Sequence, residues 1–208
     1  MIPAADVREP QAAIWGFYPF RREELVREIE RCFLDKRWGP GSLPQRGAGG
    51  PRVVGGVAPH AGYSYSGPCA AHLYKAIGES PLRPDTVVVV GTNHSGYGGD
   101  ITTATQYRVW ATPLGEVEVD REFIEGLKKL YPPLDDDPVA HMREHSVEVQ
   151  LPFLQYVLGE GFRLVPVVVK WIGEVEARDF ARAVYRVSQE LGRRVVVIAS
   201  SDFTHHGP

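Results

Sequence analysis

The sequence predicts an α/β protein: a single three-layer domain with a mixed, mainly parallel sheet flanked by helices. Three observations predict it. Three apolar runs, Val53 to Val57, Thr86 to Val90 and Val195 to Ala199, each end just before a histidine-bearing loop: Pro59-His60, Gly91-Thr92-Asn93-His94, and Ser200-Ser201-Asp202-Phe203-Thr204-His205-His206. Stretches of helical periodicity separate the strand-like runs, an order that implies right-handed parallel crossovers. Short segments around Ile101 to Thr105 and Gly115 to Val119 have antiparallel character, which makes the sheet mixed. If the three runs are neighbouring parallel strands, their histidines meet at the carboxyl edge, where open α/β sheets bind ligands.

The opening segment to Phe20 reads as irregular, with Trp15, Phe17 and Tyr18 anchoring it to the body. From Arg21 to Lys36, Leu25, Ile29, Cys32 and Phe33 recur at helical spacing and leave one wet face. Glycine and proline punctuate Trp38 to Pro51 as a surface turn region or mobile loop. A strand from Arg52 to Val57 then leads through His60-Ala61-Gly62-Tyr63-Ser64-Tyr65 into a helix from Ser66 to Ile77, capped by Ser66 or Gly67, with Pro68 in its first turn and Gly78 as its stop. The wholly apolar Thr86 to Val90 suits a central parallel strand covered on both faces. Asp120 caps a helix carrying Phe123, Ile124 and Leu127. Between Glu144 and Leu158 a helix either kinks at Pro152 or starts near it, because proline cannot continue the i to i−4 ladder. Arg163 to Lys170 is a strand, and Phe180, Val184, Val187 and Leu191 line a helix ending at Gly192 before the last strand.

Composition narrows the function. With 23 Lys+Arg against 26 Asp+Glu the formal charge is −3 and no basic stripe stands out, so nucleic acid is not an expected partner. The longest apolar runs are strand-sized and the first twenty residues lack the pattern of a secretory leader, which argues against a membrane and for a cytoplasmic protein. Cys32 and Cys69 show no metal-site spacing and are expected as buried thiols in a reducing compartment. Gly96, Gly98 and Gly99 do not form a phosphate loop, since no Lys-Ser/Thr pair follows, and no organic cofactor is expected.

The chemistry concentrates in the loops after the three runs. His60 precedes Ala61-Gly62, where small residues let a bound group approach the backbone, and His94 has nearly the same context; both are read as ligand or catalytic contacts. Asp202 and His205, three apart, share one side if the segment turns helically. Asp202 then either caps that turn, orients a histidine or binds metal, and His205 serves as acid/base toward a substrate oxygen. Glu144-His145-Ser146 reads as a helix start with Ser146 capping and His145 facing inward, while Glu148 either hydrogen-bonds across that site or, the favoured reading, faces solvent on the helix. Tyr63 and Tyr65 alternate, so in an extended loop both border the pocket or pack the loop onto the following helix. His72 and His141 read as ordinary surface or satisfied core residues.

The words Pro59-His60-Ala61-Gly62-Tyr63 with Tyr65-Ser66-Gly67, Gly91-Thr92-Asn93-His94, Thr112-Pro113-Leu114-Gly115, Glu144-His145-Ser146-x-Glu148-x-Gln150-Leu151-Pro152-Phe153 and Ser200-Ser201-Asp202-Phe203-Thr204-His205, in order along nearly the whole chain, resemble the Memo family. The resemblance implies a fold like the catalytic subunit of class III extradiol dioxygenases, which are non-haem iron enzymes with two histidines and an acidic ligand. It also implies a family whose animal member mediates signalling and binds metal and phosphotyrosine peptides. Carried onto this sequence, it places metal roles on His60 and His94, puts Asp202 and His205 in the same pocket, and adds His145 as a further pocket histidine. The usual third ligand of the family is a cysteine in a C-terminal part. Neither Cys32 nor Cys69 lies in a matching motif, so the third ligand is unassigned, and the chain is expected to lack the C-terminal portion of the family domain. A cysteine in place of a carboxylate would also favour more thiophilic metals.

The expected site therefore has His60 and His94 holding one divalent ion (iron, copper or zinc), His205, His145 and Asp202 in catalytic roles, and Tyr63, Tyr65, Asn93 and Glu144 lining the pocket. Two functions fit it. One is a metal-dependent enzyme resembling the extradiol dioxygenases; the other is a non-catalytic module that binds a peptide or protein in the same cleft. The expected partner is a small molecule or a peptide, and a homo-oligomer is left open.

Overall fold

A computed structural model describes residues 6–207. Its elements run β1 (Val7–Arg8), α1 (Gln11–Ile14), α2 (Arg22–Leu34), β2 (Gly55–Ala58), α3 (Tyr63–Glu79), β3 (Thr86–Thr92), β4 (Ile101–Thr103), β5 (Val109–Thr112), β6 (Gly115–Glu118), α4 (Arg121–Leu130), β7 (Leu134–Asp136), α5 (Pro138–Met142), a 3-10 turn (Glu148–Gln150), α6 (Leu151–Leu158), β8 (Arg163–Val169), α7 (Glu174–Glu190) and β9 (Val195–Ser200).

The main sheet has the order β2-β9-β3-β8-β4-β7. Its first four strands are parallel, β4 runs antiparallel to β8, and β7 is parallel to β4. The three histidine-bearing runs are thus adjacent strands, β2, β9 and β3, and their loops leave from one edge. β3, between two parallel partners, buries Val87, Val88 and Val89 completely, as its unbroken apolar sequence requires. Helices flank the sheet: α2 and α6 pack on α3, and α4 packs on α7. The excursion divides between two sheets: β4 joins the main sheet antiparallel to β8, whereas β5 and β6 form an antiparallel pair that β1 extends in parallel, with Val119 bridging to Leu164 of β8.

Several local expectations are corrected. α3 begins at Tyr63, not Ser66, because the Tyr63 N–H donates to Phe17 O at 2.8 Å and the Ser66 hydroxyl bonds back to Ala61 O instead of capping. Pro68 accordingly lies inside the helix, and Gly78 does not stop it. Asp120 caps α4 as read, accepting from the Phe123 N–H at 3.2 Å. Pro152 stands in the first turn of α6, where its missing N–H costs nothing, and the preceding residues turn as 3-10 helix. The opening segment is more ordered than expected, since it supplies β1 and α1.

The organising contact of that segment is a buried ion pair. Arg8 and Glu148 are 1% and 0% exposed and bond directly. Arg8 also donates to the carbonyls of Glu9, Glu144 and His141 and lies over the Trp110 ring. Glu148 accepts from the N–H groups of Gln11 and Ala12 and from the Tyr18 hydroxyl. The solvent-facing reading of Glu148 is therefore wrong: a carboxylate with four donors is satisfied without water.

Candidate metal centre

His60 follows β2, His94 follows β3, and Asp202 and His205 follow β9. His145 arrives from the turn between α5 and the 3-10 helix. That turn reaches the strand ends because position 91 is glycine: a Cβ there would overlap the Ser146 hydroxyl, which donates to Thr92 O at 2.9 Å. Ser146 is therefore a tie to β3 and not the helix cap expected.

One nitrogen from each of His60, His94 and His145 lies within 4.8 Å of the other two. The ring centres of His60 and His94 are 5.3 Å apart and nearly perpendicular, and those of His94 and His145 are 4.4 Å apart and nearly parallel. The Phe17 ring lies against His145 with centres 4.4 Å apart and planes tilted by 35°, so the opening segment also supports the trio. The three imidazoles border a cleft of about 1110 Å³ that Asp202, His205, Tyr65 and the exposed Phe203 also line.

Each ring is held differently. His94 Nδ1 is 2.8 Å from Glu144 Oε1, and its backbone N–H donates to Glu144 Oε2 at 2.7 Å. A carboxylate only accepts, so Nδ1 carries a proton and, in the neutral ring, Nε2 keeps its lone pair. The hydrogen bond to Glu144 raises the His94 pKa against the effect of burial. Burial pushes the Glu144 carboxyl up, but hydrogen bonds from the His94 ring and from the Ser146 and His94 N–H groups outweigh it and leave the pKa at about 2. His60 is 5% exposed, with Nδ1 3.1 Å from Ser200 Oγ and its N–H donating to Asp202 Oδ1 at 2.8 Å. Burial pushes its pKa down while Asp202 pulls it up. Among the described residues no hydrogen bond reaches the His145 ring, whose Nδ1 lies 3.7 Å from Glu144 Oε1, and burial, opposed by Glu144 and helped by the other two imidazoles, lowers its pKa to about 4.

Asp202 links the two levels of the cleft, since its Oδ2 lies 2.9 Å from Nδ1 of the exposed His205. Burial tends to raise the Asp202 pKa, yet the N–H of His60 and the two histidines bring it below the ordinary carboxyl value. His205 projects at the mouth, apart from the trio.

Three residues expected to line the pocket do not reach it. Tyr63 and Tyr65 lie in the first turn of a helix, where two residues span roughly 200°, so they face opposite sides. Tyr65 lines the cleft, whereas Tyr63 is buried and donates to Val149 O at 2.6 Å. The Asn93 side chain closes its own loop, donating to Tyr97 O and accepting from Ser95 and Gly96. Glu144, 1% exposed, lies behind His94. Cys69, expected to be buried, is exposed and borders the cleft; Cys32 is buried. His141 is a core residue whose Nε2 donates to Thr102 O. Sequence reasoning missed Ser200, Gln150 and Phe17, which hold the rings in place. For Ser200 and Gln150 the only signal was their place inside a histidine-bearing word, and for Phe17 it was the aromatic content that read as an anchor.

The donor set fits a divalent ion: three imidazoles of suitable spacing, with His94 oriented to offer a lone pair, are ligands common to zinc, copper and iron. Among the described residues no helix is long and apolar enough to cross a membrane. The family model for Memo-like protein matches residues 8–208. Relatives called MEMO1 family protein include one from Methanopyrus kandleri, 51% identical over 96% of this chain and 70% of its own length. Another from Aeropyrum pernix is 46% identical, covering 97% and 71% respectively. A third, from Methanococcus maripaludis, is 42% identical over 92% and 68%.

Proposed function

We propose, for a chain that belongs to the Memo family, that His60, His94 and His145 hold one divalent metal ion and that the cleft acts on an oxygen-bearing small molecule. The observation that carries this reading is the convergence of the three ligand nitrogens within 4.8 Å at the carboxyl edge of the sheet. Held by these three imidazoles, such an ion would supply Lewis acidity toward a substrate or water oxygen, and iron would add redox chemistry of the extradiol type. The protein's own groups do the rest. Glu144 aims His94, and Asp202 aims both the His60 backbone and His205. With its Nδ1 proton donated to Asp202, His205 turns its Nε2 to the mouth, where it takes or returns a proton on a substrate oxygen.

Anaerobic purification followed by elemental analysis tests the reading. The unsubstituted protein is expected to carry stoichiometric iron, copper or zinc, His60→Ala and His94→Ala are expected to lose it, and His145→Ala is expected to bind it more weakly through the two remaining imidazoles. His205→Ala is expected to keep the metal. A protein that stays metal-free under reducing, metal-supplied conditions would overturn the proposal.

A further inference from the structure

Behind His60, two carbonyl groups determine every hydrogen in a buried chain of side chains. Gln150, 1% exposed, places its amide nitrogen 3.0 Å from Pro59 O and 2.8 Å from Ser200 Oγ. A carbonyl only accepts, so the group facing Pro59 O must be the NH2, and the opposite oxygen takes the proton of the Tyr74 hydroxyl. Ser200, 2% exposed, lies 2.6 Å from Ser146 O. By the same argument its single hydroxyl proton goes there. The two lone pairs of Ser200 Oγ are then left for the Gln150 NH2 and for His60 Nδ1 at 3.1 Å.

We infer that Ser200 is a positioning residue that locks His60 in the tautomer with the proton on Nδ1 and the lone pair on Nε2. The other tautomer would set the Nδ1 lone pair against a Ser200 oxygen with no proton to give. Its Nε2 proton would also face Asp202 Oδ2 at 3.8 Å, beyond hydrogen-bond length. His94 obtains the same tautomer from a charged partner, Glu144, whereas His60 obtains it from a neutral chain: Tyr74 to Gln150 to Ser200. The two rings thus present the same nitrogen, although only one is backed by a carboxylate. The consequence for metal affinity rests on the metal-site reading; the tautomer itself does not.

Nitrogen-15 NMR of the imidazoles in metal-free protein, paired with zinc titration of the same samples, separates the two. In the unsubstituted protein His60 is expected to show a protonated, pyrrole-like Nδ1 and a pyridine-like Nε2. Ser200→Ala is expected to release the ring toward the Nε2–H form and to weaken zinc binding by about 10- to 100-fold, the usual effect of removing a group that orients a metal-ligating histidine. Ser200→Thr, which keeps the hydroxyl, is expected to preserve both. A pyridine-like Nδ1 in the unsubstituted protein overturns the inference, and that measurement stands even where a variant fails to fold. So does a Ser200→Ala protein that retains the Nδ1–H form. A protein with the expected tautomer that binds no zinc would instead sustain the relay and overturn the metal site.

Discussion

Cys32 sits where α2 crosses α3, at a contact close enough that a Cβ on Gly67 would approach its sulfur to 2.5 Å. Burial there pushes its thiol up to about 12, against the pull of Arg31, with Glu28 and Asp35 adding to the rise. Cys69, six residues before Lys75 on the same helix α3, is exposed. Since the thiolate is the reactive form, an alkylating reagent near neutral pH is expected to label Cys69 alone in the folded protein and both thiols after denaturation. Mass spectrometry reads the count, and double labelling of the native protein would contradict the packing described. The same lesson applies to the site. Histidines after apolar runs were legible because strand ends are predictable, but which way Tyr63 or Asn93 turned was not. A shift of three residues in a helix start rotates every side chain near it, and periodicity does not resolve that.

β1 and α1 are the elements least visible in the sequence, and the Arg8–Glu148 pair explains why. Two residues of strand and one turn of helix have no periodicity to detect; they form because a buried carboxylate collects the N–H groups of Gln11 and Ala12 and the guanidinium of Arg8. By contrast α2, α4, α7 and the strands β3, β8 and β9 follow their apolar patterns closely, since each presents a continuous stripe or run to the core. Removing one partner of a buried ion pair leaves an uncompensated charge, so Arg8→Met is expected to destabilise the fold by about 3 to 5 kcal/mol. Urea denaturation measures this. A loss below about 1 kcal/mol, the level of an exposed pair, would show that the network is not holding the opening segment in place.

At the scale of the molecule, the carboxyl edge of β2, β9 and β3 brings His60 and His94 to one point with Asp202 beside them, and this much was legible as soon as the runs were read as neighbouring strands, although His205 stands apart at the mouth. What sequence alone left unassigned was a third ligand, because His145 comes from a turn whose approach depends on Gly91 and the Ser146 tie to Thr92. A metal that binds only the folded state must stabilise it. At a free zinc concentration 100 times the dissociation constant the gain is about 2.7 kcal/mol, which for a chain of this size raises the melting temperature by roughly 5 to 10 °C. Thermal melts with and without zinc are expected to show that shift in the unsubstituted protein and to lose it in His94→Ala. The central claim, that three histidines hold one ion, is tested most directly by X-ray absorption spectroscopy of the zinc-loaded protein. Three imidazole nitrogens at about 2.0 to 2.1 Å are predicted, falling to two in His145→Ala; a shell that keeps the same number of imidazoles after that substitution would contradict the account.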